Sequence, residues 1–295
     1  MLYDITLRIS YAFGKNAASG RQILRVQPKE LPGRQRVIAA SLTFTPRPDE
    51  RVDRFDFFGN PTIEAAYHHV WSEIALVMQA RVRRSVAPPA LDLSPKLEQL
   101  AGDIERYRRL DAASPHHFTG ASPRIAPDAA IERYARQQCQ PGMTVFEAVL
   151  ALNAALYRDM TFDADATDVN TPASKAFAHR HGVCQDFTHI MITALRAVGI
   201  PAGYVSGFLR TIPPEGKPRL EGADAMHAWV RAWCGADAGW VEFDPTNGLV
   251  VANDHIVVAI GRDYADVSPV KGILKTAGAQ KTKQTVDVLP LEEAV

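Results

Sequence analysis

The chain has 295 residues, of which 46% are hydrophobic and 22% are charged. This composition is typical of a folded globular protein with one large or two ordinary domains. Lysine plus arginine equals aspartate plus glutamate, at 33 residues each. The balance leaves no overall positive field that would attract nucleic acid or anionic lipid.

The N-terminal sequence, the lack of a long apolar window and the cysteine content bear on the cellular location of the protein. The chain begins MLYDITL, without the basic start and apolar core of a secretory signal, and no window reaches the roughly 18 apolar residues of a membrane span. The three cysteines, at positions 139, 184 and 234, are odd in number and too widely spaced for a disulfide framework. We therefore expect a cytoplasmic protein that binds neither nucleic acid nor membrane, and the sequence leaves its oligomeric state open.

Residues 1–87 are predicted to form a β-rich, sandwich-like N-terminal domain. Tyr3, Ile5, Leu7 and Ile9 alternate with polar residues, as in a half-buried strand. Three further segments, 23–26, 37–45 and 74–86, have strand composition, and the last is long enough for one or two strands. Gly59-Asn60 predicts a hairpin turn.

Residues 88–127 are predicted to form a helical linker. Pro88-Pro89 and the loop-rich stretch 114–127 bracket a helical segment at 94–110. Residues 128–295 then form the predicted C-terminal domain. Its helices are expected at 128–138 and 144–157, with a short third helix that Thr171-Pro172 begins. Segment 255–260 is a predicted strand, and segments 272–276 and 282–289 are a predicted closing pair of strands.

Cys184 lies at the predicted start of an amphipathic helix. After it, Phe187, Met191, Leu195 and Val198 recur at helical spacing, and Gly199 is a typical C-terminal stop. The free N–H groups and positive dipole end of a helix favour an anion, so they lower the pKa of a thiol and can bind an oxyanion. Taken alone, Cys184 is more typical of a small core residue than of a nucleophile.

A predicted β-hairpin brings His227 towards Asp244. Residues 225–233 alternate in strand fashion, residues 235–239 have turn composition, and residues 240–244 form a second strand before Pro245. Symmetric pairing around a five-residue loop would place Asp244 opposite Val230, so contact with His227 requires a bulge or a diagonal. If the contact forms, the carboxylate orients the imidazole as a general base.

These segments together resemble the bacterial branch of the transglutaminase-like superfamily, whose core is similar to that of papain-type cysteine proteases. The resemblance rests on residues 182–189 (GVCQDFTH), 203–208 (GYVSGF), 224–229 (DAMHAW), 239–247 (GWVEFDPTN) and 261–267 (GRDYADV), and, in the N-terminal region, on 56–60 (DFFGN). It implies an α+β fold in which the cysteine-bearing helix packs on an antiparallel sheet. It also implies Cys184 as nucleophile, His227 as base and acid, and Asp244 as the orienting group.

The resemblance supports thiol-dependent acyl transfer on a peptide or protein substrate, without a cofactor or metal. Animal transglutaminases carry a tryptophan directly after the nucleophile, where this chain has Gln185. We therefore favour hydrolysis by a peptidase or amidase over amine transfer to glutamine, and a non-catalytic binding module is a third possibility. Gln185 and Trp229 are candidate substrate contacts, although Trp229, Trp233 and Trp240 are equally typical of core residues.

A metal enzyme is the main rival among catalytic functions. His179, His181, Cys184 and His189 fall within eleven residues, and zinc accepts such donors. Their spacing is not that of a structural zinc site, and the first two histidines end one helix while Cys184 begins another. We therefore predict no metal.

Overall fold

The computed structural model describes residues 1–17, 19–86, 91–211, 222, 224–275 and 279–291. The N-terminal residues form strands, as their alternation predicts, with Tyr3, Ile5, Leu7 and Ile9 all buried on one face of the first strand. The six strands are β1 (Leu2–Ala17), β2 (Ser19–Leu24), β3 (Gln35–Thr45), β4 (Glu50–Phe55), β5 (Pro61–Tyr67) and β6 (Trp71–Arg84).

The middle of the chain is mainly helical. The predicted linker helix is short, because only α1 (Leu100–Arg106) follows a single 3-10 turn, Leu97–Gln99. A second 3-10 turn is Pro115–Phe118. The next elements are α2 (Ala129–Gln138), α3 (Val145–Asp159), β7 (Thr161–Phe162), α4 (Ala173–His179), β8 (His181–Gly182) and α5 (Cys184–Ala197).

Local capping explains where these helices begin. The Asp128 carboxylate accepts hydrogen bonds from the backbone N–H groups of Ala130 and Ile131. Thr144 and Glu147 form a reciprocal capping box at the start of α3. Pro172 is the N-cap of α4, so this helix begins one residue later than the prediction that Thr171 would cap it.

The remaining elements are mostly strands. They are β9 (Ala202–Leu209), β10 (Ala225–Trp233), β11 (Trp240–Asp244), β12 (Leu249–Val250), β13 (His255–Gly261), α6 (Tyr264–Val267), β14 (Val270–Lys275) and β15 (Gln280–Leu291). Strands β12-β11-β10-β9-β13 form one antiparallel sheet. Helix α5 packs on β9 and β10, which confirms the predicted α+β class with a cysteine-bearing helix on an antiparallel sheet.

The last two strands pair with the N-terminal strands and not with each other. β15 pairs with β1, and β14 pairs with β2, giving two four-stranded sheets with the orders β15-β1-β6-β3 and β14-β2-β5-β4. The predicted closing pair therefore consists of two strands with separate partners. The sequence division grouped residues 270–291 with the C-terminal domain, whereas their backbone hydrogen bonds join them to the N-terminal sheets. Alternation identifies a strand but does not name its partner.

Two amide side chains of the N-terminal unit cover the open edge of β13, the last strand of the five-stranded sheet. The Gln35 side chain accepts from Val257 N–H at 2.9 Å and donates to its carbonyl at 2.7 Å. Asn60 does the same for Ile260, at 2.8 Å in both directions. Gln35, Asn60, Val257 and Ile260 are all buried. The two side-chain amides therefore form the hydrogen bonds that the backbone of this strand edge would otherwise lack.

Within the described residues, no helix has both the length and the apolar character needed to cross a membrane. The cytoplasmic location stays a prediction from the cysteine content.

Candidate active site

Helix α5 begins at Cys184, and the thiol is half-buried at its first turn. The Asp186 carboxylate closes that turn, because its Oδ2 accepts from Val183 N–H at 2.9 Å and from the Thr167 hydroxyl at 2.6 Å. The first N–H groups of any α-helix have no carbonyl one turn before them. The N–H groups of Cys184 and Gln185 therefore have no partner within the helix.

The hairpin that carries His227 and Asp244 has a register that the sequence did not predict. Trp233 pairs with Trp240 and Val230 with Phe243, and Cys234 N–H donates to the Gly239 carbonyl at 2.8 Å. The loop thus has one residue fewer than its composition indicates, which moves Asp244 past Val230. Asp244 reaches the imidazole diagonally, and His227 Nε2 lies 2.8 Å from Asp244 Oδ2.

Asp244 is fully buried and uses its two oxygens for different purposes. Oδ1 accepts from the backbone N–H groups of Thr246 and Asn247, at 3.0 and 3.1 Å, and so builds the turn after β11. Oδ2 accepts from His227, from Asn247 Nδ2 at 2.7 Å and from His255 Nε2 at 2.9 Å. Burial alone raises the pKa of Asp244, but the two histidine hydrogen bonds outweigh it and hold this pKa well below its ordinary value.

His255 is a site residue that the sequence reasoning missed. It begins β13, and its ring is buried against Asp244. An ionised carboxylate can only accept, so Nε2 carries the proton in both His227 and His255. A lone histidine at the start of a strand has no spacing signal, and only the folded chain brings it to Asp244.

Cys184 is close enough to His227 to contribute to the pKa of its ring. Because Nε2 is bound to Asp244, Nδ1 is the nitrogen available to the sulfur. Burial lowers the pKa of His227, but the interactions with Asp244 and Cys184 more than offset it and raise this pKa to about 10. The imidazole is therefore held in its protonated form beside the thiol at neutral pH.

Comparison with known proteins shows the family of this chain. Residues 132–245 match the transglutaminase-like superfamily, and residues 3–83 match the bacterial transglutaminase-like N-terminal region. An uncharacterized protein of Mycobacterium tuberculosis is 35% identical over 301 residues, which cover 98% of this chain and 93% of that protein. The chain belongs to the transglutaminase-like superfamily.

Two other similarities are weaker, one in coverage and the other in sequence identity. A protein-glutamine gamma-glutamyltransferase of Pseudomonas aeruginosa is 35% identical over 104 residues, covering 32% of this transglutaminase-like chain and 15% of that protein. A crystal structure named "putative cysteine protease", from Cytophaga hutchinsonii, covers 100% of this chain and 92% of its own, with a TM-score of 0.71 and 21% identity. At that identity the second similarity shows the fold alone.

The two candidate substrate contacts of this transglutaminase-like chain occupy different surroundings. Gln185 is half-buried, and its Nε2 donates to the Val169 carbonyl at 3.2 Å, so the amide is tied to the preceding loop. Trp229 is fully buried, and its Nε1 donates to Glu242 Oε2 at 2.9 Å. Trp229 therefore presents no surface to a substrate, contrary to the prediction that it contacts one. Its indole instead binds Glu242 inside the protein. Trp233 is buried as well.

The structure separates the histidines of the rival metal hypothesis. His179 and His181 are exposed, and His181 Nδ1 lies against the His179 carbonyl. His189 is buried, which lowers its pKa to about 4, and its Nε2 accepts from Tyr264 N–H.

Another set, His227, Asp244 and His255, has donor atoms close enough together to hold a metal ion. The chemistry of this set argues against an ion, because both Nε2 atoms carry protons that bind Asp244. A metal ion would have to replace both hydrogen bonds.

Proposed function

We propose that the protein is a thiol enzyme that transfers the acyl group of a peptide or amide substrate through a thioester on Cys184. The observation that carries the proposal is the buried hydrogen bond between His227 and Asp244, together with the effect of the nearby Cys184 on the His227 pKa. Each residue type has the chemistry that its place in this arrangement requires. The sulfur is the nucleophile, the imidazole moves a proton, and the carboxylate fixes the tautomer.

The first half of the reaction forms the thioester and releases an amine. The Cys184 thiolate attacks the amide carbonyl carbon, and the carbonyl oxygen becomes an oxyanion. The free N–H groups of Cys184 and Gln185 at the head of α5 suit that oxyanion. Protonated His227 then gives its Nδ1 proton to the leaving nitrogen as the carbon–nitrogen bond breaks. The products are the acyl-enzyme and a free amine or ammonia.

The second half returns the enzyme to its starting state. Neutral His227 takes a proton from an attacking nucleophile, which forms a new bond to the acyl carbon while the carbon–sulfur bond breaks. Water gives a carboxylic acid, and a primary amine gives a new amide. Asp244 remains ionised throughout, because two histidines and the turn backbone hold its charge.

Hydrolysis is the preferred second half. Amine transfer would be favoured by aromatic walls that keep water away from the thioester. Trp229 and Trp233 are buried core residues, and the Trp240 indole donates to the Ala113 carbonyl, so none of them supports such a wall. Gln185 also stands where the animal enzymes have tryptophan.

Amine transfer is the second candidate. The Pseudomonas aeruginosa relative that is named a protein-glutamine gamma-glutamyltransferase matches a third of this chain. If that chemistry is shared, the amide attacked by Cys184 is a glutamine side chain, and the nucleophile of the second half is a lysine or another amine.

Product analysis distinguishes the two candidates. The protein is incubated with a glutamine-containing peptide, with and without a fluorescent primary amine, while ammonia, free acid and labelled peptide are followed. We expect free acid to exceed labelled peptide, and the reverse would establish amine transfer. Cys184→Ala should remove both activities, whereas the matched control Cys139→Ala should retain them. Full turnover by Cys184→Ala would contradict the proposal.

A further inference from the structure

Glu242 is a buried carboxylate on the catalytic hairpin, next but one to Asp244. Its Oε2 accepts from Trp229 Nε1 at 2.9 Å and lies 3.4 Å from Arg84 Nη2. Its Oε1 accepts from Arg34 Nη2 at 2.8 Å. Both arginines belong to the N-terminal unit, more than 150 residues away in sequence. A carboxylate at this depth is stable only with such partners.

The two arginines keep Glu242 ionised. Burial raises its pKa, but the charges of Arg34 and Arg84 and the hydrogen bond from Trp229 outweigh burial and leave the pKa below its ordinary value. The Arg84 side chain has no exposed surface, and that of Arg34 is 37% exposed. Glu242 is therefore a fixed, charged acceptor for the Trp229 indole.

The held indole contacts both histidines of the site. The Trp229 and His227 rings lie 6.2 Å apart between centroids and are inclined by only 28°. The His255 ring meets Trp229 edge-on, at 5.1 Å and 80°. The indole thus limits the rotation of two imidazoles that share Asp244 Oδ2. Rotation of the His227 ring would break its hydrogen bond to Asp244 and change its placement relative to Cys184.

We propose that Glu242 is a positioning residue of the active site, through which Arg34 and Arg84 of the N-terminal unit fix the Trp229 indole and so the His227 ring. The inference rests on the proposed function, since it assigns a purpose to His227 orientation. In this arrangement the N-terminal unit is part of the catalytic apparatus, although it supplies no group that touches the substrate.

The test measures the protonation of His227 directly in the intact protein. The imidazole ¹⁵N signals are titrated with pH by NMR, and the His227 signals are identified by their absence from a His227→Gln variant. Trp229→Phe keeps a ring beside His227 but removes the donor to Glu242. Arg34→Met removes one cation from the N-terminal end of the series without changing the catalytic sheet. Asp56→Asn is the matched control, because it breaks another N-terminal ion pair, Arg25–Asp56 at 3.0 Å, which has no contact with Glu242.

We expect the His227 pKa to fall by about one pH unit or more in Trp229→Phe, which is a tenfold loss of proton affinity. In Arg34→Met we expect a fall of about half a unit, and in Asp56→Asn no change. An unchanged His227 pKa in folded Arg34→Met and Trp229→Phe overturns the proposal, and Arg34→Met decides alone if Trp229→Phe does not fold. A fall of the same size in Asp56→Asn also overturns it, because loss of stability would then be the cause.

The titration requires no turnover. If the protein proves inactive but the His227 pKa falls as expected, the positioning role stands and the proposed function fails. If the protein is an active acyl transferase and the pKa does not move, the positioning role fails alone.

Discussion

The two faces of the five-stranded sheet are stabilised by different interactions. The face towards α5 is apolar, and its residues Tyr204, Val230 and Phe243 belong to one buried hydrophobic cluster. The opposite face carries Trp229, Arg231 and Glu242, all buried. The apolar face is stabilised by close packing of complementary side chains, whereas every charge on the polar face requires a specific partner. The N-terminal unit supplies some of those partners, so it completes the polar face of the sheet.

Arg231 shows a second way to accommodate a charge on the polar face. Its guanidinium lies 4.4 Å from the Phe118 ring centroid and 4.1 Å from that of Trp240. The aromatic faces attract the cation where Glu242 does not contact it directly. Burial nevertheless lowers the pKa of Arg231 to about 9. The polar face therefore combines ion pairs with aromatic stacking.

Removal of the Asp244 charge should have the largest effect on activity. Asp244→Asn keeps the size of the side chain but loses the charge that holds the His227 proton, and we expect kcat to fall by about 10⁴-fold. The turn after β11 should survive, because an amide oxygen can still accept from Thr246 and Asn247. Steady-state kinetics with the glutamine peptide, alongside thermal unfolding, measures both. A loss of less than tenfold would contradict the role of Asp244.

Breaking the buried ion pair should distinguish the two faces by stability. Arg84→Met leaves Glu242 with one arginine, and we expect the free energy of unfolding to fall by about 3–5 kcal/mol. Leu195→Ala on the apolar side should cost about 2–5 kcal/mol through a cavity.

The two substitutions should differ in their effect on catalysis. Activity per folded molecule should drop in Arg84→Met and persist in Leu195→Ala. Equal activities in the two variants, with urea unfolding used to correct for the folded fraction, would remove the functional distinction between the faces.

The amide side chains that cover the edge of β13 should contribute less to the free energy of unfolding. Asn60→Ala leaves the buried N–H and carbonyl of Ile260 without partners, and we expect a loss of about 1–3 kcal/mol. The matched control is Asn170→Ala, whose exposed amide contacts Arg124 and should change stability by less than about 0.5 kcal/mol. Equal effects of the two variants in urea unfolding would show that the N-terminal unit does not stabilise this edge.

The pH dependence of activity should show the smallest effect. The His227 pKa is raised, so the imidazolium persists through neutral pH and is lost only as pH rises through about 10. Since the imidazolium protonates the leaving amine, kcat/KM should hold up to pH 9 and decline above about 10. A decline centred near the ordinary histidine value of about 6.5 would show that Asp244 and Cys184 do not raise the pKa of the ring.

Prediction from sequence succeeded where the signal is local. Helix α5 begins at Cys184 and strands β10 and β11 form the hairpin, because periodicity, glycine and proline mark both. The hairpin register could not be fixed from the sequence, and symmetric pairing differs from the observed register by one residue, since loop composition does not reveal that Cys234 and Gly239 pair.

Prediction failed where a partner is distant in the chain. Gln35 meets Val257 and Arg84 meets Glu242 across separations of 222 and 158 residues, and nothing in one sequence links such pairs. The same limit applies to His255 and to the partners of β14 and β15.

The state of the Cys184 thiol tests the central claim most directly. Iodoacetamide is added at pH 7, and the site of the adduct is found by mass spectrometry of the peptides. Cys139 and Cys234 are internal controls, because burial raises their pKa values to about 11 and about 12. We predict a single rapid adduct on Cys184 that slows markedly in His227→Ala. An unreactive Cys184, or a rate that does not depend on His227, would contradict the thiol-enzyme account and favour a non-catalytic binding module.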